Sequence, residues 1–195
     1  NDTVAIGFQS LYSITSGSNN VGVGMRSGMD ITTGASNVFL GYEAGTNTTT
    51  ADNNVAIGNE ALHGSDSTAQ TGNRNVAIGY KAGHATTTGQ ENVYIGKEAG
   101  LHQTANFYSV YIGRLAGAGT SGNSVAANQN VGIGNEALYK ITTGDTNVAI
   151  GNNAGYAITT GSNNTLIGHD AAVSSATVSN EVTLGNSSIA TLRCQ

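Results

Sequence analysis

One five-residue pattern, Asn-Val-x-Ile-Gly, returns from end to end of this chain and limits what it can fold into. It stands as TVAIG ending at Gly7, NVGVG at Gly24, NVFLG at Gly41, NVAIG at Gly58 and Gly79, NVYIG at Gly96 and SVYIG at Gly113. NVGIG ends at Gly134, NVAIG at Gly151, NTLIG at Gly168 and EVTLG at Gly185. Successive glycines lie 17 residues apart, except after Gly58 and Gly113, where the step is 21. The unit is therefore seventeen residues with two four-residue insertions. A second column keeps the same period: the residue three after each glycine is Ala or Ser, from Ser10 through Ala44 and Ala137 to Ser188. A fixed period of this length is the mark of stacked repeats, each of which buries its apolar face against the next.

Within a unit, Val-x-Ile alternates with period two, is β-branched, and ends at a Gly that permits a turn, so it reads as a short strand. A helical unit is hard to defend, because Gly interrupts every unit two or three times and each interior Gly costs a helix about 1 kcal/mol relative to Ala. The expected fold is all-β: a β-solenoid or β-roll of about eleven 17-residue rungs in parallel stacking. At about 4.8 Å between neighbouring strands, such a rod is roughly 50 Å long. Val stacked on Val and Ile on Ile would form a narrow continuous core, flattened because the column opposite is always Ala or Ser. The column Asn20, Asn37, Asn54, Asn75, Asn92, Asn130, Asn147 and Asn164 fits turn positions whose amides bond backbone or the Asn of the next rung. The repeats occupy residues 1–185, and residues 186–195 form a C-terminal junction.

If Val and Ile point inward, the residue between them points out. That column runs Ala5, Gly22, Phe39, Ala56, Ala77, Tyr94, Tyr111, Gly132, Ala149, Leu166, Thr183 and carries no charge. An uncharged outward face over eleven rungs reads as an interface between identical chains. The expected contacts of a homotrimer are Phe39, Tyr94, Tyr111 and Leu166. The column two residues after the glycines includes Arg26, Glu43, Glu60, Lys81, Glu98, Glu136 and Asp170, which read as a solvent-facing edge.

The motif NVAIGxxAG, as at 75–83 and 147–155, resembles the SVAIG-type repeats in the heads of YadA-like trimeric autotransporter adhesins, whose heads imply a left-handed trimeric β-roll. This chain departs from them in its longer, seventeen-residue unit. The full unit, with Thr-Thr-Gly at 32–34, 87–89, 142–144 and 159–161, is similar to repeats in phage tail fibres. The segment VTLGNSSIATLRCQ, 182–195, resembles the junction before the intramolecular chaperone domain of endosialidases and many tail fibres. That resemblance implies a fibre segment whose chaperone has been removed, located in the virion and extracellular.

Composition narrows the remaining classes. With seven Lys and Arg against twelve Asp and Glu, a net charge of −5, the chain has no basic stripe for nucleic acid. Apolar runs fall short of the roughly 20 residues of a membrane-spanning helix, so no membrane insertion is expected. Residues 1–10 lack the charged and apolar regions of a signal peptide, which suggests a piece of something longer. Acidic residues are single and spread between rungs, without a nucleophile elbow or a metal-binding motif, so neither catalysis, a cofactor nor a metal is expected. Gly117, Gly119 and Gly122 satisfy G-x-G-x-x-G but sit in an insertion rather than at the start of a helix. His63 and His84, each five residues after a rung glycine, are expected to stack on adjacent rungs in a column shared with Tyr12, Met29, Leu101, Tyr139 and Tyr156. Cys194 is the one cysteine and reads as a packed thiol.

Binding residues on a rigid scaffold are usually carried by loops. The insertions, within 64–73 and 118–128, are therefore the expected receptor-reading places. The candidates are Ser65, Asp66, Ser67, Thr68 and Gln70, then Ser121 and Asn123, with Tyr108 in a further loop. The expected function is structural and non-enzymatic: the host-attachment segment of a trimeric tail fibre, whose partners are its own copies and a bacterial surface polysaccharide or protein receptor. An adhesin head that binds host matrix is the alternative. An ice-binding solenoid with a flat Thr array is a remoter one.

Overall fold

The computed structural model describes residues 2–65, 68–120 and 125–189. It contains eleven strands of three residues each: β1 Val4–Ile6, β2 Val21–Val23, β3 Val38–Leu40, β4 Val55–Ile57, β5 Val76–Ile78, β6 Val93–Ile95, β7 Val110–Ile112, β8 Val131–Ile133, β9 Val148–Ile150, β10 Thr165–Ile167 and β11 Val182–Leu184. They form one sheet in chain order, each strand parallel to the next. Register is exact across both insertions: Val55 pairs with Val76 and Val110 with Val131. The chain is thus a β-solenoid of about ten turns, as the seventeen-residue period requires. Rungs are joined by backbone bonds such as Val21 N–H to the Asn37 carbonyl and Gly24 N–H to the Ile6 carbonyl, both 2.8 Å. Among the described residues no helix is long and apolar enough to cross a membrane.

The strands lie in the opposite phase to the one expected. From β2 to β10 the middle residue is buried while its two neighbours are partly or largely open. Phe39, Ala56, Ala77, Tyr94, Tyr111, Ala149 and Leu166 have no exposed surface at all. Val and Ile do stack Val on Val and Ile on Ile, but on the outside of the coil. The interior is instead built from the middle-residue column, the Ala/Ser column after the glycines, and Ile31, Ile141 and Ile158 from the far side of the rung.

The asparagine ladder accounts for this phase. Asn54, one residue before β4, shares a face with Ala56 because side chains alternate along a strand. Its amide is wholly buried. Asn54 Nδ2 donates to the Gly72 carbonyl at 3.0 Å, and its Oδ1 accepts from the backbone N–H of Asn75 at 2.8 Å. Asn37, Asn75, Asn92, Asn130, Asn147 and Asn164 repeat the arrangement, with Ser109 substituting in one rung. The ladder caps rung carbonyls and amides that water does not reach, where each orphan would cost on the order of 1–3 kcal/mol. With Asn inside, the middle residue must be inside, and Val and Ile must be outside.

The thin interior also explains a size exchange between columns. Phe39 is clasped by Gly45 of its own rung and Gly28 of the one before. A Cβ on either glycine would stand 2.5 or 2.6 Å from the phenyl ring. Tyr94 is held in the same way by Gly100 and Gly83. Where the middle residue is small, the clasping position carries a leucine instead, as at Leu62 beside Ala56 and Ala77 and at Leu138 beside Gly132 and Ala149. These leucines keep the left-handed backbone of the glycines they replace, with φ of 49° and 54°. The strand-ending glycines are fixed more strictly: at Gly58 φ is 129°, and a Cβ would meet the Gly79 carbonyl oxygen at 2.6 Å. Charged residues close the next turn, with Arg26, Glu43, Glu60, Lys81 and Glu98 all at φ between 52° and 58°. For an L-residue that conformation costs about 1–2 kcal/mol.

Asn147→Ala removes the acceptor of Asn164 N–H at 3.0 Å and the donor to Gly161 at 2.9 Å. It is expected to lower stability by roughly 3 kcal/mol, whereas Thr143→Ala at an exposed position stays within about 0.5 kcal/mol. Urea denaturation of the two variants against the parent chain checks the difference.

Candidate functional site

The outward phase of the strands leaves two apolar columns uncovered by the chain itself. One runs Val4, Val21, Val38, Val55, Val76, Val93, Val110, Val131, Val148, Thr165, Val182. The other runs Ile6, Val23, Leu40, Ile57, Ile78, Ile95, Ile112, Ile133, Ile150, Ile167, Leu184. Every one of these side chains is half-buried or exposed, Ile6 reaching 59% and Ile167 44%. At about 4.8 Å per rung the face is roughly 50 Å long. Contiguous apolar surface of this kind marks an interaction site. The columns are adjacent, straight and uncharged, because in-register parallel pairing puts the same residue type on each rung.

The expected interface residues are therefore corrected. Phe39, Tyr94, Tyr111 and Leu166 are packed inside their own coil, and Tyr94 Oη donates to Asn106 Oδ1 at 2.6 Å. They shape the rod and do not meet a second chain. The charged column two residues after the glycines is less open than a solvent-facing edge: of the seven residues only Asp170 is exposed, the others are half-buried, and the column is cross-linked between rungs. Arg26 Nη1 bonds Glu43 Oε1 at 2.7 Å, Lys81 Nζ lies 3.2 Å from Glu60, and Arg114 pairs with Glu136.

Both insertions leave the coil at the same corner, after Gly64 and Gly119, and rejoin it through parallel bridges of Gln70 with Thr48 and of Val125 with Gln103. Ser65 and Thr68 bridge each other across the first insertion, and Thr68 is exposed. Tyr108 is 58% exposed and lies 6.3 Å from the Phe107 ring. Gln70 is not a receptor contact. It is wholly buried in the position other rungs give to Ile, and its Nε2 donates to the Gly72 carbonyl at 2.8 Å. Asp66, Ser67, Ser121, Asn123 and Cys194 lie outside the described residues.

The first insertion borders a groove that residue-by-residue reading did not anticipate. It lies between the charged column, at Arg26, Glu43 and Glu60, and the column five residues after the glycines, at Met29, Thr46, His63 and His84. His63 and His84 stack on adjacent rungs as expected, with ring centres 5.0 Å apart and planes 2° from parallel, and Tyr139 and Tyr156 stack likewise at 5.1 Å. His84 Nε2 stands 3.2 Å from Glu60 Oε2, and His63 Nε2 stands 3.8 Å from Glu43 Oε2. Burial holds the His84 imidazole below its ordinary range, helped by its neighbours His63 and Lys81 and opposed by Glu60. Burial pushes the Glu60 carboxyl up, but Lys81 and His84 outweigh it and hold the group below the usual carboxylate range. The two columns lie three residues apart within a rung, but the contacts across the groove join neighbouring rungs, 20 residues apart for Glu43 with His63 and 24 for Glu60 with His84. Comparison with known protein families, with curated proteins and with solved structures returns no match.

Because His84 titrates lower in the folded chain than in the unfolded one, the unfolded chain binds more protons as pH falls below about 6.5. The stability contributed by its neutral form is present above that value and is lost as pH falls through the folded pKa. The melting temperature is expected to drop between pH 7.5 and 5. His84→Leu, a residue the column already carries at Leu101, should flatten that part of the drop in thermal melts at the two pH values.

Proposed function

We propose that the chain is the rod of a homotrimeric attachment fibre, in which three copies pack their Val/Ile faces around a common axis and turn the charged columns and insertions outward. The observation that carries the reading is the uncharged double column, two apolar side chains on ten of the eleven strands with Thr165 in place of Val on β10, accessible in the single chain. Leaving it in water forgoes about 25 cal/mol for every Å² of apolar surface that assembly would bury. All rungs stack in one direction, so chains packed side by side in parallel bring the same column into contact along the whole rod. The number three rests on the resemblance of the NVAIGxxAG motif to trimeric adhesin heads.

The phage assignment rests on the Thr-Thr-Gly repeats and on the resemblance of 182–195 to a chaperone junction. In this reading the rod is a virion component that spans distance without catalysing a reaction, and its insertions meet a bacterial surface glycan or protein. The head of a bacterial trimeric adhesin would use the same face in the same way.

Multi-angle light scattering at micromolar concentration is expected to give three times the 19.6 kDa chain mass. The double variant Ile95→Asp with Ile133→Asp should remain β-structured by circular dichroism and fall to the single-chain mass. A parent chain that is monomeric at that concentration would contradict the reading.

A further inference from the structure

We infer that the groove beside the first insertion is a binding site for a neutral, hydroxyl-rich oligosaccharide, with Tyr42, Glu43, Glu60 and the His63–His84 stack as its recognition surface. The inference rests on the attachment reading above and names where and what such a rod would bind.

The groove encloses about 780 Å³, within the range of small-ligand sites. It is the place where the seventeen-residue rhythm is first broken, with Ser65 of the insertion on its rim. Both donors and acceptors line it. Arg26 Nη1 is engaged by Glu43 Oε1 at 2.7 Å, while Arg26 Nε is buried without a protein hydrogen-bond partner. His63 Nδ1 stands 3.0 Å from the Gly64 carbonyl oxygen, which can only accept. The same Nδ1 stands 3.4 Å from Asn47 Nδ2, and Nε2 faces Glu43 Oε2 at 3.8 Å, so the imidazole presents one nitrogen to each side of the groove. Hydroxyl groups, which donate and accept at one atom, match such a lining better than a purely anionic or purely cationic ligand. The exposed Tyr42 ring, 40% open, gives one wall an apolar face against which the C–H side of a sugar ring packs.

The charges argue in the same direction. Each carboxylate in the groove already has a cation, Glu43 with Arg26 and Glu60 with Lys81. An anionic ligand would meet two carboxylates whose partner cations are occupied, and a cationic one would compete with ion pairs already formed. A metal ion is a poorer fit, since among the described residues no three ligating side chains converge. The stacked imidazoles lie along the floor, joining two rungs into one surface longer than a single rung, as an oligomeric ligand requires.

The test is binding of the whole chain to an array of neutral gluco-, manno-, galacto- and N-acetylglucosamine oligosaccharides beside sulfated and uronic-acid glycans, followed by titration of the best neutral ligand. The imidazole signals of His63 and His84 are read by ¹H–¹⁵N NMR, and mass by light scattering. The expected result is that a neutral oligosaccharide binds and shifts both imidazole signals. Tyr42→Ala and Glu60→Gln should each weaken it at least tenfold at unchanged mass, and Thr143→Ala, at an exposed position away from the groove, should leave it unaltered. Binding by no neutral oligosaccharide, binding confined to the anionic glycans, or binding indifferent to Tyr42→Ala and Glu60→Gln would each overturn the inference. A trimer that fails in these ways leaves the fibre reading standing. A monomer that binds through these residues removes the fibre reading and keeps the site.

Discussion

The buried asparagine ladder is the interaction on which the rest of this rod depends. A coil of seventeen-residue rungs has an interior too narrow for water, yet each rung turns beside the strand and leaves backbone groups pointing inward. Asn37, Asn54, Asn75, Asn92, Asn130, Asn147 and Asn164 satisfy them, donating to a carbonyl of the next rung and accepting from the backbone N–H of the next Asn or Ser. Where the column ends, Glu181 N–H still bonds Asn164 Oδ1 at 2.9 Å. Since the ladder sits one residue before each strand, it also fixes which side of the strand faces the core.

Two consequences follow from that phase. Inside, only one side chain per strand reaches the core, so volume must balance between neighbouring rungs, and rings at Phe39, Tyr94 and Tyr111 appear where glycines flank them. Outside, the most hydrophobic and β-branched columns are left on the surface. A stable single-chain rod would have the opposite arrangement, with Val and Ile in the core and polar residues out. The uncovered face is therefore the physical basis of the proposed assembly, and the same geometry directs the charged column and the histidine stack away from the core.

The repeat length, the all-β class, the parallel stacking, the small Ala/Ser column and the histidine stack were legible in the sequence because each is a matter of period. The phase of the strand was not read correctly. Val-x-Ile alternation is symmetric between in and out, and hydrophobicity alone favours Val and Ile inside. The deciding signal was present but lay across columns: Asn20 to Asn164 share a face with the middle residue, and large middle residues occur where the position four after the glycine is Gly rather than Leu. Gln70 misled for a related reason. Its amide suggested a surface loop, while its place opposite Thr48 makes it a buried rung residue. Both columns that line the groove were visible, but not their meeting, because Glu60 and His84 stand 24 residues apart and come together only through the fold of two rungs.

The most direct test of the central claim is a search for interchain methyl contacts in an assembly refolded from isotopically labelled and unlabelled chains. The account predicts filtered nuclear Overhauser effects between chains at the methyl groups of Val93, Ile95, Val110, Ile112 and Ile133, and none at Ile31 or Ile141 inside the coil. Interchain signals that arise instead from the Tyr94 and Tyr111 rings, or none at all from the Val/Ile columns, would contradict it.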